Sequence, residues 1–412
     1  MPALRRRHPR SGPILIANPG SDLYGSDRVM LETVSALVGR GLSVVVTMPN
    51  YGPLAAEVER RGATTMITAT PIIRKSSLRP AGMARLLRDT AYGIPAAISL
   101  IRRLRPRAVV VNTVTAPIWF PVARLLGVPT IGHVHEGEAS VSSLLRRALA
   151  LPLIFTDRLI VNSRFSHQVM TDALPPLDRR STIVYNAVPG PENPTPPRKT
   201  LDPPIRLVFV GRLSARKGPH VAVEAVRLLA EQGLDVRLDL VGAVFPGYEW
   251  FEEELRTAVR RADLQDRVIF HGFQSDVWPY SADGDICVIP STLDEPFGNT
   301  AVEAALAARP SIVSNTSGLI EASAGIGSAV RVPAGHAEAI ADAVRTIADD
   351  WDSYRTRAVA DAAYARVRYS AQRYGDEITK IITDAVDGKT GKRTLRHRPV
   401  GGTTGPARAQ GS

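Results

Sequence analysis

Short β-rich runs alternate with helical patterns along almost the whole chain, which limits the fold to parallel sheets built from βαβ units. The pattern opens with Ile14 to Ala17, a helix from about Asp27 to Gly39, a strand from Leu42 to Thr47 and a helix through Ala55 to Val58. Further strands are expected at Ala108–Val111, Val128–Ile131, Arg158–Val161 and Thr182–Tyr185. Residues 189–204 then hold seven prolines in sixteen positions, which suits neither helix nor sheet. Beyond them the alternation restarts, with strands at Ile205–Val210, Val236–Val241, Val268–His271, Ile286–Ile289 and Pro310–Ser314. Helices are expected between these strands at about Pro219–Gln232, Glu249–Ala262 and Asn299–Ala308, and residues 336–386 read as helical. The expected architecture is α/β, with two Rossmann-like parallel-sheet domains facing a central cleft. The divisions are a basic disordered arm at 1–12, a first domain at 13–188, a linker at 189–204 and a second domain at 205–370. A helix at 371–388 is expected to pack back toward the first domain, followed by a basic disordered tail at 389–412.

The net charge of +11 raises the question of nucleic acid, and its location answers against one. Arg5, Arg6, Arg7 and Arg10 in the first arm, with Lys389, Lys392, Arg393, Arg396, Arg398 and Arg408 in the tail, account for ten of the eleven charges. No aromatic-interleaved or zinc-finger pattern accompanies them, so no nucleic-acid partner is expected. The single cysteine, Cys287, lies in an apolar run, which excludes an internal disulfide and a cysteine-based zinc cluster and fits a reducing compartment. The apolar stretch after the first arginines covers only Ile14 to Ala17, too short for a secretion signal. The longest apolar run, Ala91 to Ile101, is broken by Gly93 and Pro95 and falls short of the ~20 residues that span a bilayer. A cytoplasmic protein is expected. Residues 71–107 carry nine basic residues against Asp89 alone, interleaved with apolar stretches at Ala84–Leu87 and Ile94–Ile101, and Leu144–Leu149 repeats the mixture. Such segments suit either a helix lying on the inner, anionic face of a membrane or a packed helix with a solvated arginine face.

In open α/β sheets, ligands bind beyond the carboxyl ends of the strands, so chemistry is sought in the loops that follow them. The turn Asn18 to Asp27 after the first strand is rich in glycine and leads into a helix, serving either as a phosphate contact or as a plain turn. After the first strand of the second domain, Gly211-Arg212-Leu213-Ser214-Ala215-Arg216-Lys217-Gly218 sets Arg212 and Lys217 at the start of a helix. A planar guanidinium beside an ammonium at a helix N-terminus makes a diphosphate clamp, whereas Arg216 reads as a surface charge. Glu295-Pro296-Phe297-Gly298-Asn299-Thr300 leads into a helix carrying Glu303. Carboxylates at those two levels can accept hydrogen bonds from two polyhydroxyl rings, with backbone N–H groups near Phe297, Gly298 and Asn299 facing an anion between them.

Gly211-Arg212-Leu213 with Lys217-Gly218, followed by Glu295 and Glu303 around Glu-Pro-Phe-Gly, resembles the retaining GT-B glycosyltransferases of family 4. Gly25 with Ser26-Asp27 looks like that family's first glycine turn, with Ser26 where a second glycine or alanine is usual. His133-Val134-His135-Glu136, Asn162-Ser163-Arg164-Phe165 and Tyr185-Asn186-Ala187-Val188 look like further family segments. The resemblance implies that Arg212 and Lys217 hold the donor diphosphate, Glu295 the sugar hydroxyls and Glu303 the ribose. Gly25, Gly211, Phe297, Gly298, Asn299 and Thr300 would complete the donor site, and His135 would line the sugar pocket. It further implies a retaining hexosyltransferase without cofactor or metal, whose co-substrate is a nucleotide diphosphate-sugar. The acceptor would be a glycan or a lipid-linked sugar of cell-envelope polysaccharide or glycolipid synthesis. His133 and His135 lack a third metal ligand, and Asp283-Gly284-Asp285 lies at the foot of a strand, where a turn fits better than a metal site. A glycoside hydrolase would have no use for the clamp of Arg212 and Lys217. A binding protein that had lost catalysis would not need to keep both glutamates.

Overall fold

The computed structural model describes residues 11–23, 25–73, 77, 79–137 and 142–388. Residues 1–10 and 389–412 of the two arms, with Arg74 and Lys75 of the basic stretch, lie outside them. The first domain runs β1 (Ile14–Ala17), α1 (Gly25–Val38), β2 (Val44–Met48), α2 (Pro53–Arg60), β3 (Thr64–Ile67), α3 (Pro80–Leu104), β4 (Ala108–Val111), α4 (Trp119–Leu125), β5 (Thr130–Val134), α5 (Ser143–Ala150), β6 (Arg158–Val161), α6 (Arg164–Ala173) and β7 (Ser181–Ile183). The second runs β8 (Ile205–Val210), α7 (Pro219–Glu231), β9 (Val236–Val241), α8 (Glu249–Arg261), β10 (Val268–Gly272), α9 (Trp278–Asp283), β11 (Ile286–Ile289), α10 (Asn299–Leu306), β12 (Ser311–Ser314), α11 (Ser317–Ala322) and β13 (Ala329–Val332). Three helices close the chain: α12 (Ala337–Asp349), α13 (Trp351–Arg368) and α14 (Ala371–Val386).

Both sheets are parallel throughout, with strand orders β3-β2-β1-β4-β5-β6-β7 and β10-β9-β8-β11-β12-β13. Helices cover both faces, so every residue of β1, β2, β4 and β5 is buried, as their continuous apolar runs require. The order reverses between β1 and β4 and again between β8 and β11, and crevices open there at the carboxyl ends of the strands. The loops after β1, β4, β8 and β11 are therefore the ones the topology aims at a ligand.

Residues 189–204, without helix or strand, are stapled to the second domain. The Arg198 guanidinium donates to Asp285 at 2.8 and 2.5 Å, and the buried Arg309 donates to the carbonyls of Thr195, Ala282 and Gly284. Asp285 is thus consumed at the foot of β11, away from the cleft. The last helix returns to the first domain. Tyr374, Ile378 and Ile382 of α14 are buried with Val29, Val34 and Leu37 of α1, and the Tyr374 hydroxyl shares a 2.6 Å hydrogen bond with Thr33.

Several expected bounds need correction. The strand expected from Leu42 starts at Val44, because Gly41, at φ +73°, first turns the chain out of α1. The strands expected from Val128 and Pro310 begin at Thr130 and Ser311, past a proline in each case, and the one expected to Tyr185 ends at Ile183. The apolar stretches within 84–101 are parts of one 25-residue helix that contains Pro95.

Backbone meets backbone where β8 and β9 end. A Cβ on Gly242, whose φ is +146°, would lie 1.9 Å from the carbonyl oxygen of Gly211. Gly242→Ala should therefore cost about 3 kcal/mol, from overpacking and an unfavourable φ together. Gly20→Ala, where nothing lies within 4 Å, should leave the denaturant midpoint nearly unchanged. Equal midpoints for the two variants would contradict the packing of these two loops.

Candidate functional site

The loop after β8 and the loop after β11 form one wall of the cleft, because their strands are neighbours. Gly218, at φ +71°, caps α7 so close to the second loop that a Cβ would lie 2.0 Å from the Pro290 carbonyl oxygen. Thr292 donates from its backbone to Arg216 O at 2.9 Å. Across this contact the Lys217 ammonium meets Glu295 Oε1 at 2.8 Å, and Ser291 donates to the same oxygen at 3.0 Å. Glu295 is 4% exposed. Burial pushes its carboxyl up, yet Lys217 and Arg216 together pull harder, so it stays below its ordinary value. Arg216 is not the surface charge expected: its guanidinium donates to Asp294 O at 3.0 Å and stands 3.8 Å from Glu295, fixing the loop between. Arg212 lies over the Phe245 ring, 3.3 Å from its centroid.

Gly298, at φ +107°, caps α10, and a Cβ there would strike Leu319 at 2.4 Å. The Phe297 side chain turns away from the cleft. It is 2% exposed and packs with Tyr185 and Tyr369 at ring separations of 5.7 Å each, leaving its backbone for the loop. Thr300 and Glu303 line one small recess with Val210 and Ile289. Burial raises the Glu303 carboxyl above its ordinary range, and Arg28 and Lys217 oppose this only in part.

The first domain supplies the other wall. Gly25 faces the N-terminus of α10, with its missing Cβ 3.8 Å from the Asn299 amide nitrogen, and Asn186 donates to Asn299 Oδ1 at 2.8 Å. The N-terminus of α6 seals the seam: Ser163 and Ser166 both donate to the Pro296 carbonyl, and Arg164 N donates to Glu321 at 2.8 Å. Tyr185 also donates to Glu321, at 2.5 Å. His135, just past β5, has its Nε2 2.9 Å from Asn112 Oδ1. Burial holds its ring neutral down to about 4. The buried His133 ring lies 4.1 Å from it and is also pushed well toward the neutral form. Among the described residues, no group of three His, Cys, Asp or Glu side chains is arranged to hold a metal ion.

Sequence reasoning missed Arg28, which reaches from α1 to the Ser275 carbonyl at 3.3 Å and lies near Glu303. Its signal was its place in the first turn of the helix behind the Gly25 loop. Asn112 was missed too, though a polar residue directly after the fully buried run Ala108–Val111 marks the end of a central strand. Phe245 carried no signal.

Known proteins resemble this chain in sequence and in fold. Residues 24–189 match the description "Glycosyltransferase Family 4" and residues 204–350 match "Glycosyl transferases group 1", one per domain and together most of the chain. The chain belongs to glycosyltransferase family 4. It is 30% identical over 252 residues to the glycogen synthase of Mycobacterium tuberculosis, a match that covers 58% of this chain and 59% of that relative. A GDP-mannose-dependent alpha-(1-6)-phosphatidylinositol dimannoside mannosyltransferase from the same organism is 33% identical over 156 residues, 37% of this chain and 38% of its own. Among solved structures, Anabaena Alr3699/HepE in complex with UDP and glucose superposes with a TM-score of 0.74 at 20% identity, covering 90% of this chain and 99% of that one. The family 4 fold here is thus GT-B, two Rossmann-like domains about a cleft.

The pair of Lys217 and Glu295 generates a test of the wall it ties. Breaking a buried ion pair from one side leaves an uncompensated charge, so Lys217→Met should cost about 3 kcal/mol, and adding Glu295→Gln should recover most of it. A carboxyl held below its ordinary value of 4.5 contributes stability at neutral pH that is lost as pH falls through the folded value. The double variant should therefore lose less stability than the wild type on the acid side of 4.5. Additive effects of the two substitutions on the denaturant midpoint would show that the pair carries no coupling.

Proposed function

We propose that this family 4 member is a retaining glycosyltransferase that moves a sugar from a nucleotide diphosphate-sugar to a glycan or lipid-linked acceptor in cell-envelope polysaccharide or glycolipid synthesis. The observation that carries the reading is the convergence of Lys217, Arg28 and the N-termini of α7 and α10 beside Glu295 and Glu303, with Arg212 on the same loop as Lys217. The departing nucleoside diphosphate develops negative charge, and fixed cations with preorganised N–H groups stabilise that charge without reorganisation. Arg212 and Lys217 hold the diphosphate, with Gly25, Gly211 and the turn at Phe297, Gly298, Asn299 and Thr300 giving it backbone approach. Glu295 accepts from the sugar hydroxyls, Glu303 from the ribose, and His135 lines the sugar pocket. The leaving phosphate takes the acceptor proton, so neither a metal nor a cofactor is required. HepE is named with UDP and the mannosyltransferase for GDP-mannose, which supports a nucleotide-sugar donor without choosing the base.

A panel of nucleotide sugars scored by nucleotide release, with glycan and lipid acceptors, tests the reading. Arg212→Ala should lower donor use about 10- to 150-fold, corresponding to ~1.5–3 kcal/mol for a charge-assisted contact. Glu303→Gln should chiefly raise the donor KM, and Glu295→Gln should lower turnover. Wild-type kinetics in Arg212→Ala would remove the clamp, and no release from any sugar nucleotide would remove the transferase reading.

On this reading the first domain meets its lipid-linked acceptor at an anionic membrane surface. No residue of α3 from Pro80 to Tyr92 is buried, and Met83, Leu87 and Tyr92 are exposed among Arg79, Arg85 and Arg88. On the same face of the sheet, Leu125 of α4, Leu144 of α5 and Leu151 of the turn after α5 are also exposed, next to Arg147. No helix among the described residues is long and apolar enough to cross a membrane. Apolar side chains can sink into the interface while each arginine contributes ~1 kcal/mol against lipid phosphate, so four or five suffice for reversible attachment. The wild type should pellet with anionic vesicles and not with neutral ones, salt should release it, and changing Arg102, Arg103 and Arg105 together to glutamate should weaken binding. Equal sedimentation with both kinds of vesicle would dismiss the electrostatic part.

A further inference from the structure

We propose that Asn18 and Asn112, anchored on Asp27 and the Gly20 carbonyl, act as positioning residues that hold His135 in its Nε2–H tautomer and leave Nδ1 as a hydrogen-bond acceptor. Asn18 follows β1 and Asn112 follows β4, the two strands at which the first sheet reverses its order, and both side chains are buried. The Asn18 amide nitrogen lies 2.9 Å from the Gly20 carbonyl oxygen and 2.9 Å from Asp27 Oδ1. A backbone carbonyl accepts under all conditions, so both N–H bonds of Asn18 are committed and its Oδ1 must point the other way. That oxygen accepts from Asn112 Nδ2 at 2.8 Å, which turns Asn112 Oδ1 toward His135 Nε2 at 2.9 Å.

An amide oxygen cannot donate, so the hydrogen in the last link must sit on Nε2. Flipping either amide would set oxygen against oxygen or N–H against N–H in a buried place, where an unmade hydrogen bond costs about 1–3 kcal/mol. A neutral imidazole has one N–H, and with Nε2 protonated Nδ1 keeps its lone pair. His133 does not compete for that proton, since neither of its ring nitrogens has a hydrogen-bond partner among the described residues. Nδ1 of His135 has none among them either. Nδ1 is therefore an acceptor without a donor among the described residues. On the transferase reading above, on which the ligand's identity rests, that donor is a sugar hydroxyl, and a fluorine or carbonyl at the same place would be refused.

The tautomer is read directly in the full-length chain labelled with nitrogen-15 histidine, near neutral pH, from long-range proton–nitrogen correlations, with His135 assigned by its loss in His135→Gln. The wild type should show a protonated Nε2 and a bare Nδ1. Asn18→Ala does not touch His135, yet it frees Asn112 to turn, so an Nδ1–H population should appear where the wild type has none. Asn112→Leu should release the tautomer in the same way, because no acceptor then faces Nε2. This second variant decides the matter if Asn18→Ala fails to fold. A wild-type Nδ1–H or mixed signal, or one unchanged tautomer across Asn18→Ala and Asn112→Leu, would overturn the relay. Since no donor is added, the outcomes separate: a mixed tautomer with intact nucleotide release rejects the relay alone, and a fixed tautomer without release rejects the transferase reading alone.

Discussion

The contact between Lys217 and Glu295 decides the shape of the cleft's second-domain wall. It joins two loops whose contacting residues Arg216 and Asp294 are 78 apart in sequence and neighbours in space only because β11 pairs with β8. Parallel pairing brings the carboxyl ends of both strands to one side, and the glycine cap of α7 then lets the loops touch. With a side chain at Gly218, the Pro290 carbonyl would be displaced and the ammonium carried away from the carboxylate. The ion pair is therefore a consequence of topology as much as of charge. Its price in desolvation is met by further bonds, from Ser291 to the carboxylate and from Arg216 to the loop carbonyl.

The first domain meets that wall through uncharged groups as well as through Arg28. Ser163 and Ser166, in the first turn of α6 and its cap, both donate to the carbonyl of Pro296, the residue between Glu295 and Phe297. Glu321 gathers Arg164 N and Tyr185 from the far side of the seam. The loop that carries Glu295 is thus gripped by both domains at once. Any hinge motion that opens the cleft must break these bonds, so the position of Glu295 and the separation of the domains are mechanically linked.

Much of this was legible in the sequence where burial on both faces forces an unbroken apolar run. β1, β4 and β11 occupy the residues that such runs mark, and β6, β8 and β9 keep their expected bounds although Arg158, Arg206, Arg237 and Asp239 interrupt the apolar pattern. β3 and β13, two of the four edge strands, escaped: Thr64–Ile67 has no buried residue, and only Val332 is buried in Ala329–Val332. The residues of the cleft were legible as types at intervals, Arg212 with Lys217 and Glu295 with Glu303. Their mutual arrangement was not, since a sequence does not say that Lys217 spends its charge on Glu295. Arg28, Asn18 and Asn112 gain their meaning only from the strand order that lays β1 beside β4 and from the closing of one domain on the other. Arg216 was misjudged for the same reason, because its neighbour Asp294 belongs to another strand's loop.

The two glutamates of the cleft sit in opposed electrostatic conditions, and this separates what they can do. Glu295 is already compensated: two cations outweigh its burial and keep the carboxylate ionised, so it offers a fixed negative acceptor whose geometry the protein sets before any ligand arrives. Glu303 is undercompensated, with burial outweighing the more distant charges of Arg28 and Lys217. A carboxyl in that state gains most from hydrogen-bond donors brought in from outside, because each one favours the charged form that burial opposes. Vicinal hydroxyls are such donors, and the recess beside Glu303 is lined by Val210, Ile289 and Thr300, which supply few alternatives. On the proposed function, binding energy is then drawn at Glu303 and orientation at Glu295. Environment pushing two like groups apart in this way is how one cleft assigns them different tasks.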